Sequence, residues 1–250
     1  MDRPGTPRDM ILNFEERLSD SPFVERVWRT QSESAGSFIS VARSHWLMCI
    51  WKDKDRTKLT VRGPETRATR VDCPADTDFF AILFKLGTFM PHLPASNLVD
   101  IDQTLPDATS RSVWMKGAAW QFPDYDNADT FVDRLVREGL LVLEPIVPAA
   151  LQAQPQEVSI RSVQRRFSRT TGLTHGTVDQ IERARYATTL LKQGVSILDT
   201  VDQAGYFDQP HLTRSLKHFV GQTPAQIMSK SSAEQMSFLF QTEADHTNGG

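Results

Sequence analysis

Cysteine is nearly missing from this chain. Cys49 and Cys73 are the only two in 250 residues, too few for a disulfide framework, so a reducing cytoplasm is the expected setting. Long apolar runs are missing as well. Stretches such as Trp46–Trp51 and Phe79–Phe84 fall far short of the roughly 18 residues that a membrane helix needs. The N-terminus shows no charged, then apolar, then small-residue pattern, so no secretory signal is expected. Phosphate-loop, dinucleotide-fingerprint, H-E-x-x-H and G-x-S-x-G motifs are all absent, which removes several large enzyme classes from consideration. His45, Cys49, Cys73 and His92 could supply four zinc ligands, but no pair has the tight spacing of structural zinc sites. Asp124–Asp129 starts like a calcium loop, yet Ala128 stands where an oxygen ligand is wanted and Asp129 where glycine is required. A helix-capping loop is expected there, and no metal or cofactor is expected anywhere.

What is present is an ordinary globular composition, 39% apolar and 24% charged, which argues against disorder. The net charge of −3 at first disfavours a nucleic-acid partner, but it averages over unlike regions. Residues 1–144 carry 18 Lys/Arg against 22 Asp/Glu, residues 145–230 carry 10 against 6, and residues 231–250 carry none against 3. Between Ser159 and Lys192 the ratio is 7 basic to 2 acidic. Such asymmetry points to a polyanion-facing surface in one part of the chain.

The patterning divides in the same way. Ile11, Phe14 and Leu18 have helical spacing, so a short helix and a return segment are expected over 10–30. From about Ser37 to Leu86 the pattern is of strands, with Lys58–Arg62 alternating and Phe79–Phe84 a buried-type run. Pro91–Pro106 reads as irregular. All five tryptophans (Trp28, Trp46, Trp51, Trp114 and Trp120) lie in this half, where they fill a β core or line a ligand pocket. Past Pro123 the pattern is helical: a helix through Phe131, Leu135 and Val136 capped by Asp126 or Asn127, then Pro145–Leu151. Further helices follow at Ser159–Thr170, Thr177–Gln193, Ile197–Ala204, Asp208–Phe219 and Pro224–Ser229. The segment 231–250 is expected to be a mobile tail.

Two of these helices repeat each other at an offset of 49 residues. Val163, Arg165, Phe167, Gly172 and Thr174 fall on Leu212, Arg214, Leu216, Gly221 and Thr223. Ser159 and Asp208 are matching N-cap residues, and the glycines stand where a left-handed residue ends a helix. Each unit reads as helix, tight turn and capped helix, with turns expected at Pro155–Val158 and Ala204–Phe207. That is a helix-turn-helix, whose second helix enters the DNA major groove. Burying Val163 and Phe167 turns Arg161, Gln164, Arg165 and Ser168 outward. Burying Leu212 and Leu216 does the same for Gln209, His211, Thr213 and Arg214. Arginine suits guanine and glutamine suits adenine by two-point contacts. The 18-residue spacer Thr177–Gly194 makes a helix about 27 Å long, enough to carry both reading helices to adjacent grooves about 34 Å apart.

Ser159–Phe167 with Gly172-Leu173-Thr174 resembles the first helix-turn-helix of the AraC/XylS transcriptional regulators. Arg183-Ala184-Arg185 with Leu190-Leu191 is similar to that family's central helix. Ser196-Ile197, Ala204-Gly205-Tyr206, Asp208-Gln209, Leu212-Thr213-Arg214, Lys217 and Gly221–Pro224 are similar to its second unit. The resemblance implies an α+β chain: a mostly-β, cupin-like sensor or dimerisation domain over 1–125, and an all-α DNA-binding domain over 126–230. It implies base reading by Arg161, Gln164, Arg165, Gln209, His211 and Arg214, to which the outward face adds Thr213, and phosphate contacts by Arg169 and Lys217. The implied partners are double-stranded DNA, a small-molecule effector, a second copy of the chain and, for an activator, RNA polymerase. Three features depart from the family: Thr200 in place of Ile, Leu212 and Leu216 in place of Phe, and Pro210 in the first turn of the second reading helix. The alternative is a small metal-dependent, cupin-like enzyme or a ligand-binding module fused to a DNA-binding domain.

Overall fold

The computed structural model describes residues 12–53 and 56–229; the tail expected at 231–250 lies outside them. Its first half is an antiparallel sheet whose strands are β1 (Leu12–Leu18), β2 (Val24–Ser32), β4 (Leu47–Asp53), β5 (Arg56–Arg62), β7 (Thr77–Phe84) and β9 (Asp102–Thr104). They lie in the order β1-β2-β7-β4-β5-β9. The short helix and return segment expected over 10–30 are therefore a strand pair. Leu18, one of the three apolar positions that suggested a helical stripe, is 80% exposed. Pairing along the whole length of β1, from Leu12 opposite Ser32 to Leu18 opposite Arg26, outweighs a three-residue periodicity, as tertiary pairing commonly does.

β7 lies in the middle of the sheet, between β2 and β4. Its run Phe80–Phe84 is buried on both faces, which explains why it reads as continuous apolar sequence. One sheet face presents Val27, Met48, Ile50, Leu59, Val61, Phe80 and Ile82 to the main core. That core is closed by the three-stranded meander β10 (Asp107–Thr109), β11 (Ser112–Met115) and β12 (Ala118–Gln121), and by α1 (Ala128–Arg137). The other face carries Trp28, Leu47, Cys49, Ala81 and Leu83. A separate ribbon, β3 (Gly36–Ser40) with β6 (Thr69–Cys73), brings Phe38 and Cys73 against Phe14 and Phe79. A short 3-10 helix, Ala95–Asn97, occupies part of the stretch expected to be irregular. Trp28, Trp46 and Trp120 are core residues, with Trp46 stacked on Phe84 at 4.0 Å, whereas Trp114 is exposed.

α1 ends at Gly139 in the left-handed region, and a short ladder joins β8 (Thr88–Phe89) to β13 (Val142–Leu143). The remaining elements are helices: α2 (Ile146–Leu151), α3 (Ile160–Thr171), α4 (His175–Lys192), α5 (Ile197–Gln203), α6 (Gln209–Phe219) and α7 (Pro224–Met228). They share a second core built from Phe167, Ile181, Leu191, Leu212, Leu216 and Ile227, among others. By burial, α1 belongs with the sheet: Phe131, Val132 and Leu135 lie in the first core. The change from one core to the other thus falls near Glu144. No helix among the described residues is long and apolar enough to cross a membrane.

The second core is completed from the first half. Ile39, Val41 and Ala42 are buried in it, with Ala68, Leu86 and Val99 packed against it. The backbone joins in: the Ala42 N–H donates to the Phe219 carbonyl at 2.7 Å, and the Ala68 N–H to the His218 carbonyl at 2.8 Å. Those carbonyls belong to the last turn of α6, where intrahelical donors have run out. Ser44 Oγ donates to Glu182 Oε1 on α4 at 2.6 Å. Close behind is a buried polar cluster in which Glu65 accepts from Ser40 and Arg62 and pairs with Arg43 at 3.3 Å. Burial lowers the pKa of the Arg43 guanidinium, and Glu65 opposes that shift.

Candidate nucleic-acid interface

α3 begins where Ser159, in extended backbone, accepts the Ser162 N–H, and it ends at Gly172 with φ 77°. α6 begins where Asp208 accepts the His211 N–H, with Pro210 in its first turn, and Gly221 follows it at φ 80°. Both ends use the same physical devices: a short oxygen-bearing cap for an orphan N–H and a glycine that takes the left-handed conformation without strain. α7 adds a full capping box between Thr223 and Gln226. The 49-residue repeat is thus a structural repeat of capped helices.

The two units differ ahead of those helices. In the second, α5 reaches α6 through Ala204–Asp208, with Gly205 at φ 67°. In the first, α2 ends at Leu151 and α3 starts at Ile160, so the connection spans residues 152–159. The tight turn expected at Pro155–Val158 is only the end of that longer loop. Pro155 resists continuation of α2 because it has no N–H to donate and restricts the residue before it.

Along α3 the inward positions are Phe167, Thr170 and Thr171, with Val163 half-buried. Arg161, Gln164, Arg165 and Arg169 are exposed on the far side. Their charges are also unspent. Arg166, on the flank of the helix, makes a two-point pair with Glu144 at 2.9 and 2.6 Å. Arg161, Arg165 and Arg169 have no carboxylate partner among the described residues. A face of three unpaired guanidiniums and one amide is suited to phosphate oxygens and base edges.

On α6, Leu212, Leu216 and Phe219 face the core. Gln209, Arg214 and Lys217 are exposed and Thr213 half-buried. His211 is placed differently from its neighbours. It is half-buried, its Nδ1 accepts the Phe207 N–H at 3.4 Å, and its ring meets Tyr206 edge-on at 5.1 Å. Tyr206 in turn shares a hydrogen bond with Ser215 at 2.8 Å and lies under the Arg183 guanidinium. Burial raises the Tyr206 pKa, so its hydroxyl stays neutral at ordinary pH. His211 therefore helps fix the turn to its helix. The ring contact joins residues five apart in the chain, Tyr206 and His211.

α4 has the expected span of 18 residues, about 27 Å, and its buried side packs both units onto one core. Elsewhere, the first half holds a cleft of about 860 Å³ at the edge of the main core. Glu15, Arg29, Gln31, Lys52, Asp78 and Tyr125 line it, with Arg29 paired to Glu15 at 2.6 Å and 4.6 Å from the Tyr125 ring centre. The four residues considered for zinc do not meet. Cys49 lies on one sheet face with its thiol pushed up to about 11 by burial, and Cys73 is the last residue of β6 in the ribbon. Among the described residues no three of His, Cys, Asp and Glu gather in a way that could hold a metal ion. In the loop that starts like a calcium site, Asp124 instead accepts the N–H groups of Asp126 and Asn127.

Residues 153–230 match a family model described as a helix-turn-helix domain. Comparison with curated proteins and with solved structures gave no match.

Proposed function

Starting from an AraC-type helix-turn-helix domain at residues 153–230, and hence from a DNA-binding transcriptional regulator, we propose how binding is divided among the side chains. Arg161, Gln164 and Arg165 of α3, with Gln209, Thr213 and Arg214 of α6, read base edges in two neighbouring major grooves. Arg169 and Lys217 hold phosphates and set register, a contribution that weakens as salt rises. His211 supports the turn from behind. The observation that carries this reading is the unpaired cationic face of α3 beside the neutralised Arg166–Glu144 pair. Arg165→Ala is expected to cost about 1–3 kcal/mol at the preferred site and to relax preference at one base pair. Titrations against preferred and scrambled duplexes check this; an equal loss on both would reassign Arg165 to phosphate contact.

We further propose that the sheet half, taken as a cupin-like sensor, modulates this binding through a small polar ligand in the 860 Å³ cleft. What supports this is the direct seating of Ala42 and Ala68 on the end of α6, which gives a change in the sheet half a short route to a reading helix. A ligand working this way shifts DNA affinity by the coupling free energy, typically about 1–3 kcal/mol, and DNA shifts ligand affinity equally. Ligand titrations followed by tryptophan fluorescence, with and without duplex, test that reciprocity. A ligand whose affinity is the same in both titrations would leave the half a dimerisation module.

A further inference from the structure

The leading ends of the two reading helices are apolar. Phe207, immediately before the Asp208 cap of α6, is 90% exposed. The 49-residue offset places it on Val158, immediately before the Ser159 cap of α3, which is 40% exposed and followed by Ile160 at 78%. One exposed apolar side chain needs no explanation. A large apolar residue at the same position of both repeats, each time at the tip of a reading helix, does need one.

Folding does not supply it. An apolar residue at this position commonly packs onto the fourth helical residue as a staple. That residue, Leu212, is completely buried while Phe207 stands in solvent. Yet the Phe207 backbone is fixed: its N–H donates to His211 Nδ1, and Asp208 closes the first turn behind it. A side chain on a fixed backbone at a helix tip is held in readiness for contact at little ordering cost. The helix it leads carries the exposed cations Arg214 and Lys217, as α3 carries Arg161 and Arg165. Phe207 lies at the opposite end of α6 from the Ala42 and Ala68 contacts, so the first half holds the helix by its other end. A polyanion bound to those cations brings its major groove to the tip of α6. The apolar group that a major groove offers is the 5-methyl of thymine.

We propose that Phe207 packs on the 5-methyl group of a thymine at the α6 half of the DNA site, so that this base is chosen by an apolar contact. The proposal rests on the DNA-binding reading above. Val158 occupies the corresponding place at the α3 half, with exposed Ile160 beside it.

The test uses the full chain. A preferred duplex is selected from a random pool by the unaltered protein, and each thymine beneath α6 is then replaced singly by deoxyuridine, which removes only the methyl group. Burial of one such carbon corresponds to about fourfold in affinity. One replacement is expected to weaken the unaltered protein by about that factor, to leave Phe207→Ala unaffected, and to leave Phe207→Leu partly sensitive. Because Phe207 touches no core, both variants should melt with the parent. The proposal is overturned if no thymine is selected under α6, if no replacement weakens binding, or if the loss persists undiminished in Phe207→Ala. Insensitivity to every replacement would instead mark Phe207 as a protein contact. Failure to bind any duplex would strike the underlying reading, a result distinct from all of these.

Discussion

Thr200 shows how a single departure from a family pattern acquires a physical meaning. It stands where the resemblance expects Ile, and it is fully buried with its Oγ1 lacking any hydrogen-bond partner. A buried hydroxyl without a partner carries its desolvation penalty uncompensated, about 1–3 kcal/mol. Thr200→Val keeps the shape and the branched β-carbon while removing the hydroxyl. It should raise stability by about 1 kcal/mol, read as a higher urea midpoint with an unchanged slope. A lower midpoint would mean that the hydroxyl has a stabilising partner. DNA affinity should not change, because the side chain lies in the core behind α6. The cysteines make the complementary point. Their scarcity was visible in the sequence, but that Cys49 and Cys73 lie on the same side of the sheet, both near Phe14 and Phe79, follows only from strand register and the placing of the ribbon.

At the level of elements, the helices were legible and the first strands were not. α3 to α6 each carry a cap residue, an apolar period and a stop signal close together in the chain, so local physics alone delimits them. β1 has none of these, and its conformation is decided by β2, whose partner β7 lies some fifty residues further on. The loop of the first unit was legible for the same reason as the helices, with α2 stopping at Leu151 and Ser159 capping α3 as expected. Pro155 marks the break between them. Gly172 adds a demand that a pattern cannot reveal. It ends α3 at φ 77°, and a β-carbon there would come within 2.8 Å of the Ala95 carbonyl oxygen and of Val99 Cγ2. Gly172→Ala therefore meets a left-handed backbone cost of about 1–2 kcal/mol together with a clash against backbone. A loss of at least 2 kcal/mol is expected, with DNA affinity falling as α3 shifts. Chemical denaturation measures the first effect, and wild-type stability in this variant would show that the 3-10 segment yields.

For the whole molecule, the decisive feature is that two cores interlock. Charge asymmetry and repeat length marked out the basic helical part from sequence alone. Nothing local in Ile39, Val41 or Ala42 indicates that they complete the core of helices more than a hundred residues away. Residues 145–230 expressed alone would expose the surface those side chains cover and leave two α6 carbonyls without their amide donors. The isolated fragment is expected to melt more than about 10 °C below the helical part of the full chain. Equal melting temperatures would show that the two halves touch without supporting each other. The same interlocking holds α6 from its C-terminal end and leaves its N-terminal end open to DNA.

The central claim is that α3 and α6 read two adjacent major grooves from one chain. Methylation protection of guanine N7 on a selected duplex, with the full-length protein bound, addresses it most directly. The account expects two protected segments on one face of the DNA, centred about one helical turn apart. Arg165→Ala should erase protection in one segment and Arg214→Ala in the other. A single protected segment, or protection equally strong on a scrambled duplex, would contradict the account.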